Sequence, residues 1–70
     1  MNKFATRLTE LREKEELTQL ELAKEIAIAR PTITNWERGI REPSFDTLIK
    51  LAEFFDVSAD YLLGREGYDI

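Results

Sequence analysis

The chain contains no cysteine and no histidine. Without thiols there is no disulfide framework and no cysteine-based zinc site, and without imidazole most transition-metal ligation and all histidine acid/base catalysis are excluded. Glycine is confined to Gly39, Gly64 and Gly67, which are too scattered to form a phosphate-cradling loop. No nucleophile–base pair can be drawn, so neither an enzyme nor a cofactor or small-molecule substrate is expected. No apolar run is long enough to span a bilayer or to form the core of a secretory signal after Met1, so no membrane partner is expected and the cytoplasm is the default location. What is present is 70 residues, 43% hydrophobic and 34% charged. A single core of that size buries about 60% of the unfolded surface and holds by packing alone.

Charge is uneven. The net value of −4 argues against indiscriminate attraction to nucleic acid. Lys3 and Arg7 nevertheless make residues 1–9 basic, and Arg30, Arg38 and Arg41 outnumber Glu37 and Glu42 in residues 28–43. The acidic excess lies in residues 10–27 and 44–70.

Apolar residues recur at three- and four-residue intervals, which predicts an all-α chain of five helices. The first starts at Asn2 or Phe4, carries Phe4, Leu8 and Leu11 on one stripe, and ends at Glu13–Lys14. Thr18 followed by Glu21 has capping-box spacing and starts a second helix with Leu22, Ala23 and Ile26 inward. Pro31 is tolerated only in a first turn, so it closes that helix upstream and opens a third at about Ala29–Arg30. Gly39 ends the third helix. Ser44 caps a fourth helix reaching about Phe55, with Leu48, Leu51, Ala52 and Phe55 inward, and Ser58 caps a brief fifth before Gly64. Residues 1–64 read as one domain and residues 65–70 as a frayed tail.

Two short helices joined by Ala27–Ala29 must cross steeply, and Ala23 supplies the small side chain that a close crossing needs. A helical wheel puts Ala29, Ile33 and Trp36 of the third helix on the buried arc and Pro31, Thr34, Asn35 and Arg38 opposite, with Arg30, Thr32 and Glu37 flanking. The outward face suits the DNA major groove. Asn pairs bidentately with adenine, Arg with guanine, and Thr or Pro can meet a thymine methyl.

The run Leu17-Thr18-Gln19-Leu20-Glu21-Leu22-Ala23-Lys24-Glu25-Ile26, then Ile28, then Thr32-Ile33-Thr34-Asn35-Trp36-Glu37-Arg38-Gly39, and finally Pro43-Ser44 and Leu48-Ile49-Lys50-Leu51-Ala52 resembles the Cro and phage-repressor helix-turn-helix family, also called the xenobiotic-response-element type. The ending from Phe54 to Arg65 is similar to regulators of Gram-positive bacteria, their phages and mobile elements. The resemblance covers about Phe4 to Leu63. It implies a compact five-helix, lambda-repressor-like domain with helices two and three as the helix-turn-helix. It further implies that Gln19 binds a DNA phosphate and braces Arg30, that Arg30, Pro31, Thr34 and Asn35 read bases, and that Arg12 and Glu37 pair between the first and third helices. Helix N-termini attract phosphate on their own account, which gives Thr18 and Gln19 a physical reason for their place. Thr32, Arg38 and Arg41 are the remaining phosphate candidates.

Two positions depart from the family pattern. Ala27 stands where a Gly with φ > 0 is usual, at a cost of about 1 kcal/mol, and Ala29 replaces a Ser or Thr cap worth about 1 kcal/mol.

The expected function is a sequence-specific DNA-binding transcriptional regulator, a repressor, that places its third helix in the major groove of a palindromic operator on double-stranded DNA as a homodimer. Ile49, Phe54, Val57, Tyr61, Leu62 and Ile70 are candidates for the dimer seam, with peripheral core as their competing role. The alternative is a protein-interaction module, an adaptor or antitoxin, anchored by Leu20, Ile49 and Phe54.

Overall fold

The structure is a computed structural model and describes residues 2–65. Five helices follow in order: α1 Phe4–Lys14, α2 Gln19–Ile26, α3 Arg30–Glu37, α4 Phe45–Phe55 and α5 Ala59–Leu63. No strand occurs among the described residues, and none of their helices is long and apolar enough to cross a membrane.

The helix starts follow from side-chain acceptors. Asn2 Oδ1 accepts the Phe4 N–H at 3.0 Å. Thr18 and Glu21 form a reciprocal capping box, while Ser44 and Ser58 accept the N–H groups of Thr47 and Tyr61. Helix α3 alone of the last four lacks a side-chain cap, because its N-cap is Ala29, and Pro31 offsets this by removing one N–H that would otherwise be unsatisfied.

All five helices end in the same way. A left-handed residue, in order Glu16, Ala27, Gly39, Asp56 and Gly64, turns the chain out of the helix. In every case its own N–H bonds the carbonyl three residues back, and the next N–H bonds the carbonyl five residues back. For α2 these bonds are Ala27 to Lys24 at 3.3 Å and Ile28 to Ala23 at 2.9 Å. This is the Schellman arrangement, which satisfies carbonyls left over at a helix end. The residue after the left-handed one is apolar in four cases, and Leu17, Ile28 and Val57 pack against the core. Their burial offsets the strain of placing non-glycine residues at φ 58, 64 and 56. Ala27 thus keeps the strained conformation that a family glycine would adopt freely.

The core joins Phe4, Leu8 and Leu11 of α1, Leu22, Ala23 and Ile26 of α2, Ile33 and Trp36 of α3, Leu48, Leu51 and Ala52 of α4, and Leu62 of α5. Helix α1 packs against α3 and α5, α2 against α3, and α4 against α5. Phe4 meets Trp36 edge-on with ring centroids 6.1 Å apart, so the N-terminal turn of α1 seats α3. Lys50 on α4 donates to the Ile26 carbonyl at 3.0 Å, placing a cation at the C-terminal end of α2.

Three expectations are corrected. Leu62 is fully buried, because α5 lays that face on the core, so it cannot line a dimer seam. Ala29 is exposed, because it precedes the helix in extended backbone where the wheel of α3 does not apply. Val57 and Tyr61 are half-buried satellites of the core, which leaves Ile49 and Phe54 as the exposed seam candidates on α4. Ile70 lies outside the described residues.

Gly39 has nothing within 4 Å of a would-be Cβ, so Gly39→Ala isolates the backbone penalty of φ +75. Urea denaturation is expected to show a loss of about 1 kcal/mol for Gly39→Ala and a gain of similar size for Ala27→Gly. Equal stabilities for wild type and Ala27→Gly would mean that the turn carries no strain.

Candidate nucleic-acid interface

Helix α3 is eight residues long, too short to be stable alone, so its position is set by what holds its inner side. Ile33 is completely buried and Trp36 nearly so. One helical period away, Arg30, Pro31 and Arg38 are exposed, and Asn35, Thr34 and Thr32 are half-buried. After Gly39 the chain doubles back, and the Asn35 carbonyl accepts the N–H groups of Ile40 at 2.9 Å and Arg41 at 3.3 Å. This ties the loop carrying Arg41 to the middle of α3.

A polar relay fixes α3 to α1 and α2. The Arg12 guanidinium donates from Nε to Glu37 Oε2 at 2.6 Å and from a terminal nitrogen to Glu37 Oε1 at 3.0 Å, and its other terminal nitrogen donates to the Leu17 carbonyl at 2.8 Å. The side chains are only 13% and 7% exposed, respectively, so the pair is shielded from solvent. The hydrogen bond to Glu37 raises the Arg12 pKa above its ordinary value, with burial opposing, so the charge persists across the working pH range. Gln19 Nε2 donates to Glu37 Oε1 at 3.1 Å, and the Thr34 hydroxyl donates to Gln19 Oε1 at 2.7 Å. Gln19 therefore braces Thr34 and Glu37. No hydrogen bond joins it to Arg30, in contrast to the contact that the family resemblance implied.

Two shallow grooves flank α3. One is lined by Arg12, Thr18, Gln19, Leu20 and Arg30, and brings the N-terminal turn of α2 beside that of α3. The other is lined by Thr32, Asn35, Trp36, Arg41, Glu42, Pro43 and Ser44. Seven of the nine residues expected to contact DNA thus border one groove, the other or the relay. Pro31 and Arg38 stand outside both grooves on the exposed side.

The electrostatics explain how an acidic protein keeps a basic face. Glu37 is neutralised by Arg12, and Glu42 accepts the Asn2 side-chain amide at 2.9 Å. The Arg30, Arg38 and Arg41 side chains have no ion pair or hydrogen bond among the described residues, nor does the Asn35 amide. Glu37 and Glu42, the acids adjacent in sequence to Arg38 and Arg41, are engaged elsewhere, and these arginines stay unpaired among the described residues.

Sequence reasoning missed the Gln19–Thr34 bond, the Lys50 cap and the near-complete exposure of Phe45 at 86%. The first two link residues 15 and 24 positions apart and leave no periodic trace. The third had a signal, since Phe45 falls to the side of the α4 stripe on a wheel.

A helix-turn-helix family model matches residues 8–62. Over 60 residues the chain is 45% identical to the HTH-type transcriptional regulator ImmR of Bacillus subtilis, covering 86% of this chain and 47% of that protein. It is also 45% identical over 60 residues to the HTH-type transcriptional regulator AnsR of the same organism, covering 86% of this chain and 52% of that protein. The chain spans about half the length of these relatives. Among solved structures, the P22 c2 repressor in complex with a synthetic operator superposes with a TM-score of 0.83 at 30% identity, over 90% of this chain and 96% of that one.

Replacing Arg12 by Met leaves the shielded Glu37 carboxylate without its cation, and is expected to cost about 3 kcal/mol in urea denaturation. Arg12→Met/Glu37→Leu is expected to lose less than the two single losses combined, since no orphaned charge remains. Strict additivity would show that the pair is not coupled.

Proposed function

The chain belongs to the helix-turn-helix family of the Cro and phage-repressor type, and on that premise we propose that it is a sequence-specific DNA-binding transcriptional regulator, a repressor, whose α3 enters the major groove of double-stranded DNA. The observation that carries this reading is the outer side of α3, where Arg30 and Arg38 are exposed and Asn35 is half-buried with its amide unpaired, on a rod anchored by Ile33 and Trp36. The groove admits one helix, and planar amide and guanidinium groups match the donor and acceptor edges of adenine and guanine. In this reading Arg30, Pro31 and Asn35 face base edges. Thr18, Gln19, Thr32, Arg38 and Arg41 meet phosphates, which fix register without reading sequence.

One module makes few contacts, so discrimination comes from a homodimer on an inverted repeat with half-sites about 34–36 Å apart. Ile49 and Phe54 are exposed, but five positions along a helix set them about 140° apart, on opposite flanks of the buried α4 stripe. A two-fold seam therefore takes one of these flanks.

The test is selection from random duplexes with the wild type and Asn35→Ala. The wild type is expected to enrich a two-fold symmetric motif. Asn35→Ala is expected to lose about 1–3 kcal/mol of discrimination at one position in each half-site. Absence of enrichment by the wild type would favour the adaptor reading, in which the exposed apolar side chains hold a protein partner. A dimer using about three cations per subunit is expected to give a log–log salt slope of about −5, measured by titration at several ionic strengths. A flat response would contradict phosphate binding.

A further inference from the structure

The direction of every hydrogen bond in the relay is fixed by one charge. Arg12 only donates, and ionised Glu37 only accepts, so the Gln19 amide must turn its NH2 toward Glu37 and its oxygen away. That oxygen lies 2.7 Å from the Thr34 hydroxyl, which must donate to it. A hydroxyl has one proton, and the 3.4 Å approach of the same oxygen to the Arg30 carbonyl is the longer and weaker alternative. Thr34 consequently has no proton left to donate to guanine O6 or N7, to thymine O4 or to a phosphate; what it still offers outward is a methyl group, which Val keeps and Ser lacks, and an accepting lone pair, which Ser keeps and Val lacks.

We propose that Thr34 is a positioning residue and not a base reader: its hydroxyl locks the middle of α3 to the first residue of α2 through Gln19, and so sets where Arg30 and Asn35 stand. This revises the role expected from the sequence, and it rests on the DNA-binding reading above. A lock acts alike on all duplexes, whereas a reader acts on one base pair.

Thr34→Val keeps the shape and removes the proton, and Thr34→Ser restores it. In duplex selection and titration, Thr34→Val is expected to weaken the selected and a scrambled duplex by a similar factor of about ten, with the motif unchanged. Thr34→Ser is expected to bind like the wild type. On a Gln19→Ala background, Thr34→Val is expected to add little, because the lock is already open. In the free protein, the Gln19 side-chain amide protons followed by NMR are expected to move toward free-glutamine positions in Thr34→Val and to stay in Thr34→Ser. A motif altered at one position by Thr34→Val or by Thr34→Ser, full additivity with Gln19→Ala, or unmoved amide protons would each overturn the assignment while leaving DNA binding intact. A wild type that enriches no duplex would overturn the DNA-binding reading and this assignment together.

Discussion

The pairing of Arg12 with Glu37 is the contact on which the placement of α3 depends. Helix α3 has an apolar inner side of two large residues, which fixes its depth in the core but only weakly its rotation and tilt. A bidentate guanidinium–carboxylate pair adds direction, because both partners are planar and the two bonds restrain orientation as well as distance. Through Glu37 the restraint passes to Gln19 and Thr34, and through the Leu17 carbonyl it reaches the loop between α1 and α2. Three helices are thereby referred to one partly buried ion pair. The same pair withdraws Glu37 from the surface, so the stability of the helix and the basic character of its outer side have a common cause.

The second constraint is the recurring left-handed exit. With few glycines available, three of the five exits are made by Glu16, Ala27 and Asp56, and each is held by paired backbone bonds and by the apolar residue that follows. Short helices need sharp ends if the chain is to pack five of them around so small a core. The turn at Ala27 has the further task of setting the angle between α2 and α3, and Lys50 reaches across from α4 to the last turn of α2. Strain at this turn is therefore tolerated in a place supported from two sides.

An acidic body with one arginine-bearing face is an orienting device. In the proposed reading, repulsion from the acidic stretches disfavours unproductive approach to a polyanion, and the arginines on and after α3 favour approach by that side. The Arg30, Arg38 and Arg41 side chains are unpaired among the described residues, while Glu37 is paired with Arg12 and Glu42 accepts a hydrogen bond from Asn2.

By itself the sequence determined the helices, because period, side-chain caps and the two prolines act within a few residues of one another. It determined most of the core for the same reason, since a stripe on a short helix leaves little choice of inward face. Family resemblance placed Arg12 opposite Glu37 and Gln19 near α3, and the helical wheel placed Asn35 outward. Tertiary structure decided the rest. Leu62 is interior, Ile49 and Phe54 stand on opposite flanks, Glu16 and Asp56 take left-handed backbone, and Thr34 turns its proton inward to Gln19. Each depends on which surface a neighbouring helix covers or which atom a side chain from 15 or more positions away presents, and distances of that kind are fixed by packing, which no local pattern encodes.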